Sequence, residues 1–332
     1  MAVEASAYAR AGLVGNPSDG YFGKTVSFVI RNFSAKVSLY ENPEVEIVPS
    51  FQDRSRYASV RDLVDDVRMQ GYYGGIRLMK ATIRKFVDYC DARNITLPER
   101  NFSIRYRTTI PRRVGMAGSS ALVTATLRCL MEFYEVDIPK PQQPGLILSV
   151  ENEELGISAG LQDRVIQVYE GCVYMDFDKE YMDAHGHGRY EPIDTHLLPP
   201  LYVAYRTDFE EGSEMFHNNL RERWLSGDPA VVQAMRDFAS YAEEVRNLIV
   251  AGRGGEIGPW LDKNFDLRRS LIKIDQQNIE MVERARSVGA HAKFAGSGGA
   301  IIGTYPDESV YQRLCDVFDG SSVMVFKPQV AE

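Results

Sequence analysis

The chain has 332 residues, 44% of them hydrophobic and 25% charged, an ordinary globular composition with length enough for two domains and a large core. A net charge of −8, from 46 acidic and 38 basic residues, argues against a general nucleic-acid binder, which would carry a basic footprint, while leaving room for a nucleotide whose phosphates are met locally. No apolar run approaches the ~20 residues of a membrane span, the first ten residues lack a secretory apolar core, and Cys90, Cys129, Cys172 and Cys315 form no C-x-x-C pair, so the expectation is a cytoplasmic protein without disulfides or cysteine-held zinc.

In chain order, 25–30 and 35–40 read as two strands joined by a turn at Arg31-Asn32-Phe33-Ser34, and 45–48 as a third. The polar, charged run 52–70 reads as a solvated surface. Ile76, Met79, Ile83, Phe86, Val87 and Cys90 recur at three and four residues, one face of a helix. The alternation over 102–107 is that of a strand, ended by Pro111. A Gly/Ser loop at 112–121 leads into a helix over 121–133. Pro144 starts a helix over 145–155; a second follows over 159–169, and 172–177 is a strand. Residues 178–194, rich in Gly, Asp and His, read as a loop or hairpin. Pro199-Pro200 punctuates the chain and divides it into domains 1–198 and 199–332. The second half reads as a strand at 201–205 and helices at 216–225, 229–251, 257–274 and 276–288. Strands at 291–295 and 301–305 then flank a glycine turn, before a helix at 307–318 and a last strand at 323–326.

Three segments carry chemistry. Gly115-Met116-Ala117-Gly118-Ser119-Ser120 lies between a strand and a helix. Its glycines let backbone approach a ligand, the N–H groups of the helix start can cradle phosphate oxygens, and a serine hydroxyl there can meet Mg²⁺ or phosphate. It lacks the lysine of a P-loop and the spacing of the dinucleotide fingerprint. Taken alone, it also fits a plain loop capped by Ser119 or Ser120. Glu151 and Asp163 fall on adjacent helices. Phosphoryl transfer needs hard oxygen ligands for Mg²⁺ and benefits from a carboxylate that takes the acceptor proton. Taken alone, Glu151, Glu153 and Glu154 read as an exposed acidic helix end. Gly296-Ser297-Gly298-Gly299 would be a second backbone loop closing over substrate and phosphates; taken alone, it is a glycine-rich turn.

With Arg10-Ala-Gly-Leu-Val-Gly15-Asn16-Pro17-Ser18-Asp19 at the front, these segments resemble the GHMP kinase superfamily of small-molecule kinases in order and spacing, over nearly the whole chain. Tyr21-Phe-Gly23, Tyr73-Gly-Gly-Ile-Arg77, Glu154-Leu-Gly-Ile157 and Gly160-Leu-Gln-Asp-Arg164 are similar to the plant-type glucuronokinases within it, as are Met175-Asp-Phe177, Gly186-His-Gly188, Arg223-Trp-Leu225 and Asn278-Ile-Glu-Met-Val-Glu283. The resemblance implies a two-domain α+β GHMP kinase fold with the active site in the cleft between domains. It implies ATP, Mg²⁺ and transfer of the γ-phosphoryl to the anomeric hydroxyl of D-glucuronate. Asp163 would be the catalytic base, kept ionised by Arg10. Gly115, Ala117, Gly118, Ser119, Ser120, Gly296, Ser297 and Gly298 would surround the ATP phosphates, and Ser120 and Glu151 would hold the metal. Asn16, Ser18 and Asp19 would meet the sugar. Asn16-Pro17 replaces the usual Glu-His of sugar kinases, and Met116-Ala117-Gly118 replaces the commoner Gly-Leu-Gly or Gly-Leu-Ser, with the Ala117 methyl tolerated at the negative φ expected there.

A uronate adds a carboxylate, which an arginine or lysine would read. Arg10, Lys24, Arg77, Arg164 and Lys293 are the candidates, and Lys24 and Arg164, each adjoining a motif, are the expected readers. Galacturonate, arabinose or a heptose are alternative acceptors. A catalytically silent ligand sensor is the reading from another class, and intact Asp163, Glu151 and Ser120 weigh against it. No nucleic-acid or membrane partner is expected, and the protein would be a monomer or homodimer.

Overall fold

The computed structural model describes residues 1–49, 74–208 and 220–330. The expected surface run 52–70 and the first residues of the expected helix 216–225 lie outside them.

Strand β1 (Ala2–Val14) alternates small apolar residues with polar ones, and Ala7, Ala9, Ala11 and Leu13 are fully buried. Strand β2 (Lys24–Asn42) runs antiparallel beside it, from Tyr40 opposite Ala2 to Val26 opposite Val14. The two strands expected at 25–30 and 35–40 are therefore one. The expected turn is an insertion within it: Tyr8 faces Ser34 while Ala9 faces Ile30, so Arg31, Asn32 and Phe33 bulge from the ladder. Residues near the C-terminus cover that bulge. The Arg31 amide donates to the Gln329 carbonyl at 2.8 Å, and the Gln329 amide donates to Asn32 Oδ1 at 2.8 Å.

The short β3 (Glu46–Ile47) precedes helix α1 (Gly75–Asp91) and pairs parallel with β4 (Asn101–Thr108), which lies along the C-terminal part of β2. Helix α2 (Gly118–Phe133) packs on β1 and β2. Helix α3 (Gln143–Ser149) gives way to one π turn at Val150–Glu154, in place of the regular helix expected to 155. That turn buries Glu151 and leaves Glu153 exposed, so the acidic run is not simply an exposed helix end. Helix α4 (Leu161–Tyr169) packs against α2, β1 and β2. Strand β5 (Cys172–Asp176) then pairs with the N-terminal part of β2. The 178–194 segment holds helix α5 (Lys179–His185), capped by Asp178, and strand β6 (Arg189–Ile193), which pairs antiparallel with β5.

The second half is built on the antiparallel order β10-β7-β9-β8, with β7 at Leu201–Arg206, β8 at Lys293–Phe294, β9 at Ala300–Thr304 and β10 at Val323–Phe326. Its helices are α6 (Leu220–Leu225), α7 (Pro229–Val250), α8 (Gly258–Leu271), α9 (Gln276–Ser287) and α10 (Glu308–Phe318). Asp228 starts α7 by accepting the Ala230 and Val231 amides, with Pro229 as first helical residue. Val231, Ala234, Met235, Phe238, Ala242, Val245 and Ile249 then bury one helical face. Its C-terminal part, Ala242, Val245 and Ile249, joins Leu13 and Phe28 of the first half and Ile257 and Ile302 of the second in one apolar cluster. Among the described residues no helix is long and apolar enough to cross a membrane. All four cysteines are unpaired.

Candidate active site

The edge of β1 away from β2 meets two glycine loops, one from each half of the chain. The Arg10 amide donates to the Met116 carbonyl at 3.3 Å, and the Gly12 amide to Ala295 at 2.8 Å. The Arg10 side chain spans the junction. Its Nε and Nη2 donate to the two carboxylate oxygens of Asp163 at 2.6 and 2.9 Å, and its Nη1 donates to the Gly115 and Ala295 carbonyls at 2.6 and 3.0 Å. Asp163 lies in the first turn of α4. Burial alone would raise its carboxyl, but the Arg10 and Arg164 guanidinium groups outweigh that and hold it below the usual range.

The loops touch backbone to backbone. At Gly115, where φ is +67°, a Cβ would stand 2.9 Å from the Ser297 amide nitrogen. A Cβ on Gly296 would stand 2.3 Å from the Gly115 carbonyl oxygen and 2.8 Å from Arg10 Nη1. Ala117 differs from expectation: its φ is +60°, in the left-handed region. The reason lies in its carbonyl, which accepts from the Ala121 amide, Ser120 Oγ and Gln167 Nε2 at 3.2, 3.2 and 2.9 Å. Those three donors fix a conformation that alanine alone disfavours.

Glu151 accepts from Ser119 Oγ at 2.8 Å on one oxygen and from Arg164 Nη2 on the other. Arg164 also donates to the Gly160 carbonyl at 2.9 Å and stands 3.5 Å from Asp163. The serine that meets Glu151 is thus Ser119. Ser120 points elsewhere, because consecutive helical residues diverge by roughly 100°, and its hydroxyl is turned to Ala117.

Asp19 sits in a short 3₁₀ turn, Ser18–Tyr21, and accepts from the Gln162 amide at 3.4 Å. Burial, and then the Asp163 charge, push its carboxyl up to about 6. The Asn16 side-chain oxygen accepts from Lys293 Nζ at 2.7 Å, and its backbone carbonyl from Asn264 at 3.0 Å. The Ser18 hydroxyl closes the turn onto the Lys24 backbone, at 2.9 and 3.1 Å. The Lys24 ammonium is engaged by Glu243 of α7 at 2.9 Å.

Residues 77–171 match the family model for the GHMP kinases N terminal domain. The chain is 44% identical to glucuronokinase 1 of Arabidopsis thaliana over 321 residues, covering 95% of this chain and 88% of that protein. This chain belongs to the GHMP kinase family. Its fold is shared with solved GHMP kinase structures. Lactococcus lactis galactokinase complexed with galactose superposes with a TM-score of 0.73 at 13% identity, covering 99% of this chain and 94% of that one. A heptose 1-phosphate kinase from Bacteroides thetaiotaomicron does so with a TM-score of 0.71 at 18% identity, covering 99% and 96%. The fold is the two-domain GHMP kinase arrangement of helices and sheets.

In this GHMP kinase the donor set fits Mg²⁺ in one way. Among the described residues no group of three or more His, Cys, Asp or Glu could hold a metal. Glu151 with Ser119 supplies hard oxygens from one side only, the arrangement for an ion that keeps phosphate oxygens and water as its other ligands. Sequence reasoning passed over three residues of this kinase's cleft. Asn264 of α8 accepts from the Gly15 amide at 2.7 Å and donates to Asn16. Gln162 is buried with its Oε1 unpartnered. Arg268 of α8 donates to the Gly296 and Ser297 carbonyls at 2.8 and 3.4 Å. Its neighbour Arg269 turns to the surface instead and donates to Glu283 at 2.9 Å.

Proposed function

We propose that this GHMP kinase transfers the γ-phosphoryl of ATP to the anomeric hydroxyl of D-glucuronate, giving glucuronate 1-phosphate and ADP. The observation that carries the reaction class is Asp163, held ionised by Arg10 where the two glycine loops meet. The acceptor rests on the 44% identity to glucuronokinase 1. Residues 1–198 and 199–332 would form the two walls of the cleft, and the enzyme would work in the cytoplasm as a monomer or homodimer.

Asp163 has one task at the acceptor. As the sugar oxygen bonds to phosphorus and the bond from phosphorus to the β–γ bridging oxygen breaks, the hydroxyl proton passes to its carboxylate and ADP leaves with the electron pair. A carboxylate held below its usual range stays deprotonated at neutral pH, so each cycle starts with the base ready. Arg10 keeps that charge in place and, through Gly115 and Ala295, fixes Asp163 relative to both loops. The amides of the Gly115–Ser120 and Gly296–Gly298 loops would line the phosphates. Bound Mg²⁺, held from this chain by Glu151 with Ser119, would neutralise phosphate charge. The Ser120 hydroxyl, tied to Ala117, serves the loop's shape instead. Asn16 and Asp19 would meet the sugar hydroxyls.

Asp163→Asn keeps the side chain's size and removes the base. Turnover with glucuronate should fall by about 10²–10⁴-fold, while nucleotide binding, read by fluorescence of a labelled ATP analogue, persists. Near-normal turnover in that variant would remove Asp163 from the role of base.

A further inference from the structure

Five basic groups were candidates for reading a uronate carboxylate, and the structure gives each one a partner. Arg10 is on Asp163, Arg164 on Glu151, and Lys24 on Glu243. Lys293 is buried, with its three donors on the Gly12 carbonyl, Asn16 Oδ1 and the Phe294 carbonyl at 2.6, 2.7 and 2.7 Å. Arg77 donates to the Leu155 carbonyl at 3.0 Å. Arg268, like Lys293, rests on neutral oxygens, but its guanidinium Nε is buried without a partner, and among the described residues no carboxylate lies within ion-pair distance of it.

The position of Arg268 is defined by what it holds. Gly296, whose carbonyl it binds, packs against Gly115 and the Arg10 guanidinium, and Arg10 holds Asp163. Asp19 is the nearby charge that favours the protonated guanidinium, working against burial. Beside Asp163 in sequence, Gln162 carries a buried acceptor oxygen without a donor. Near the Arg10–Asp163 pair the site therefore holds a guanidinium with no hydrogen-bonded carboxylate and an acceptor oxygen with no donor. A ligand that satisfies both has an anionic group at one end and hydroxyl donors at the other.

We infer that Arg268 is the specificity-determining residue that reads the carboxylate of the sugar acid, with Gln162 accepting from one of its hydroxyls. This rests on the glucuronate reading above. A guanidinium matches a carboxylate in plane and charge, and a neutral sugar leaves it unpaired. A γ-phosphate is the other anion that such a group would suit, so the test separates the two.

The test measures kcat/KM for glucuronate and for glucose, together with KM for ATP, in the wild type, Arg268→Gln and Arg268→Lys. Circular dichroism checks folding. In Arg268→Gln the glucuronate-to-glucose preference should fall by about 10- to 100-fold, the scale for losing hydrogen bonds to a charged group; loosening of the Gly296 loop, which Arg268 also holds, is felt equally with both sugars and leaves that ratio untouched. Arg268→Lys keeps the charge without the fork and should fall between the two. If Arg268→Gln does not fold, the preference of Arg268→Lys decides. An unchanged preference with a raised KM for ATP assigns Arg268 to the phosphates or the loop and overturns the inference alone. A wild type that does not prefer glucuronate overturns the glucuronate reading and this inference with it.

Discussion

Asp19 and Asp163 are neighbouring carboxylates driven apart by their surroundings. Asp163 is held down by arginines, while Asp19 is pushed up to about 6 by burial and by Asp163 itself. An unfolded aspartate titrates near 3.8, so between about pH 4 and 6 the folded state binds the proton more tightly. Stability from this group is then present at low pH and lost as pH rises through about 6. Asp19→Asn should raise the melting temperature at pH 8 and change it little at pH 4. The gain is at most about 3 kcal/mol, set by the rise from 3.8 to about 6; equal melting temperatures at pH 8 would contradict the environment described for Asp19. Ala117 gives a second prediction. At φ +60° glycine costs less than alanine, so Ala117→Gly should stabilise the protein by about 1 kcal/mol in denaturant unfolding. The residue types of the motifs are legible in sequence, because phosphoryl transfer asks for few kinds of group. Their partners are not: Ser119 rather than Ser120 on Glu151, or Arg268 rather than Arg269 at the glycine loop, are set by helix phase and by tertiary contacts 32 and 28 residues apart in the chain.

Among elements, β1 is hard to read from the sequence although its signal is present. Val3, Ala5, Ala7, Ala9, Ala11 and Leu13 alternate with Glu4, Ser6, Tyr8, Arg10 and Gly12, but alanine has weak strand propensity and hides the period. Small residues are what the packing of α2 and α4 on this strand requires. The turn-like Arg31–Ser34 was misplaced for a related reason. A bulge and a hairpin share the same local chemistry, and only the long pairing with β1 tells them apart. The π turn that buries Glu151 has no sequence signature, while the amphipathic α7 and α10 do. Loop contact gives the prediction here. Gly296→Ala places a methyl carbon against the Gly115 carbonyl and Arg10, which forces the loops apart. Turnover should drop at least about 10-fold, on the scale of a 1 Å misplacement in a catalytic array, and an unaltered kcat would show that loop contact is not needed.

The molecule as a whole is joined across its two halves by buried polar ties as well as by shared apolar core. Asn264 holds both the Gly15 amide and the Asn16 carbonyl, and Lys293 holds Gly12 and Asn16. Asn264→Ala leaves a buried donor and a buried acceptor unsatisfied and should cost about 2–3 kcal/mol in urea unfolding. Because Ala242, Val245 and Ile302 share one cluster with Leu13 and Phe28, the loss should appear in a single transition; two separated transitions would contradict the joint core. The alternation of strands and helices in the second half was open to sequence, and the bridging residues were not.

Acceptor choice is the property on which the glucuronate reading turns. ADP release by the wild-type enzyme with ATP and Mg²⁺ should be measured with glucuronate, galacturonate, glucose, galactose, arabinose and mevalonate. The predicted result is a strong preference for glucuronate, with the product's phosphate on the anomeric oxygen by ³¹P NMR. Preference for another acceptor, or no turnover on any of them with ATP still bound, would contradict it.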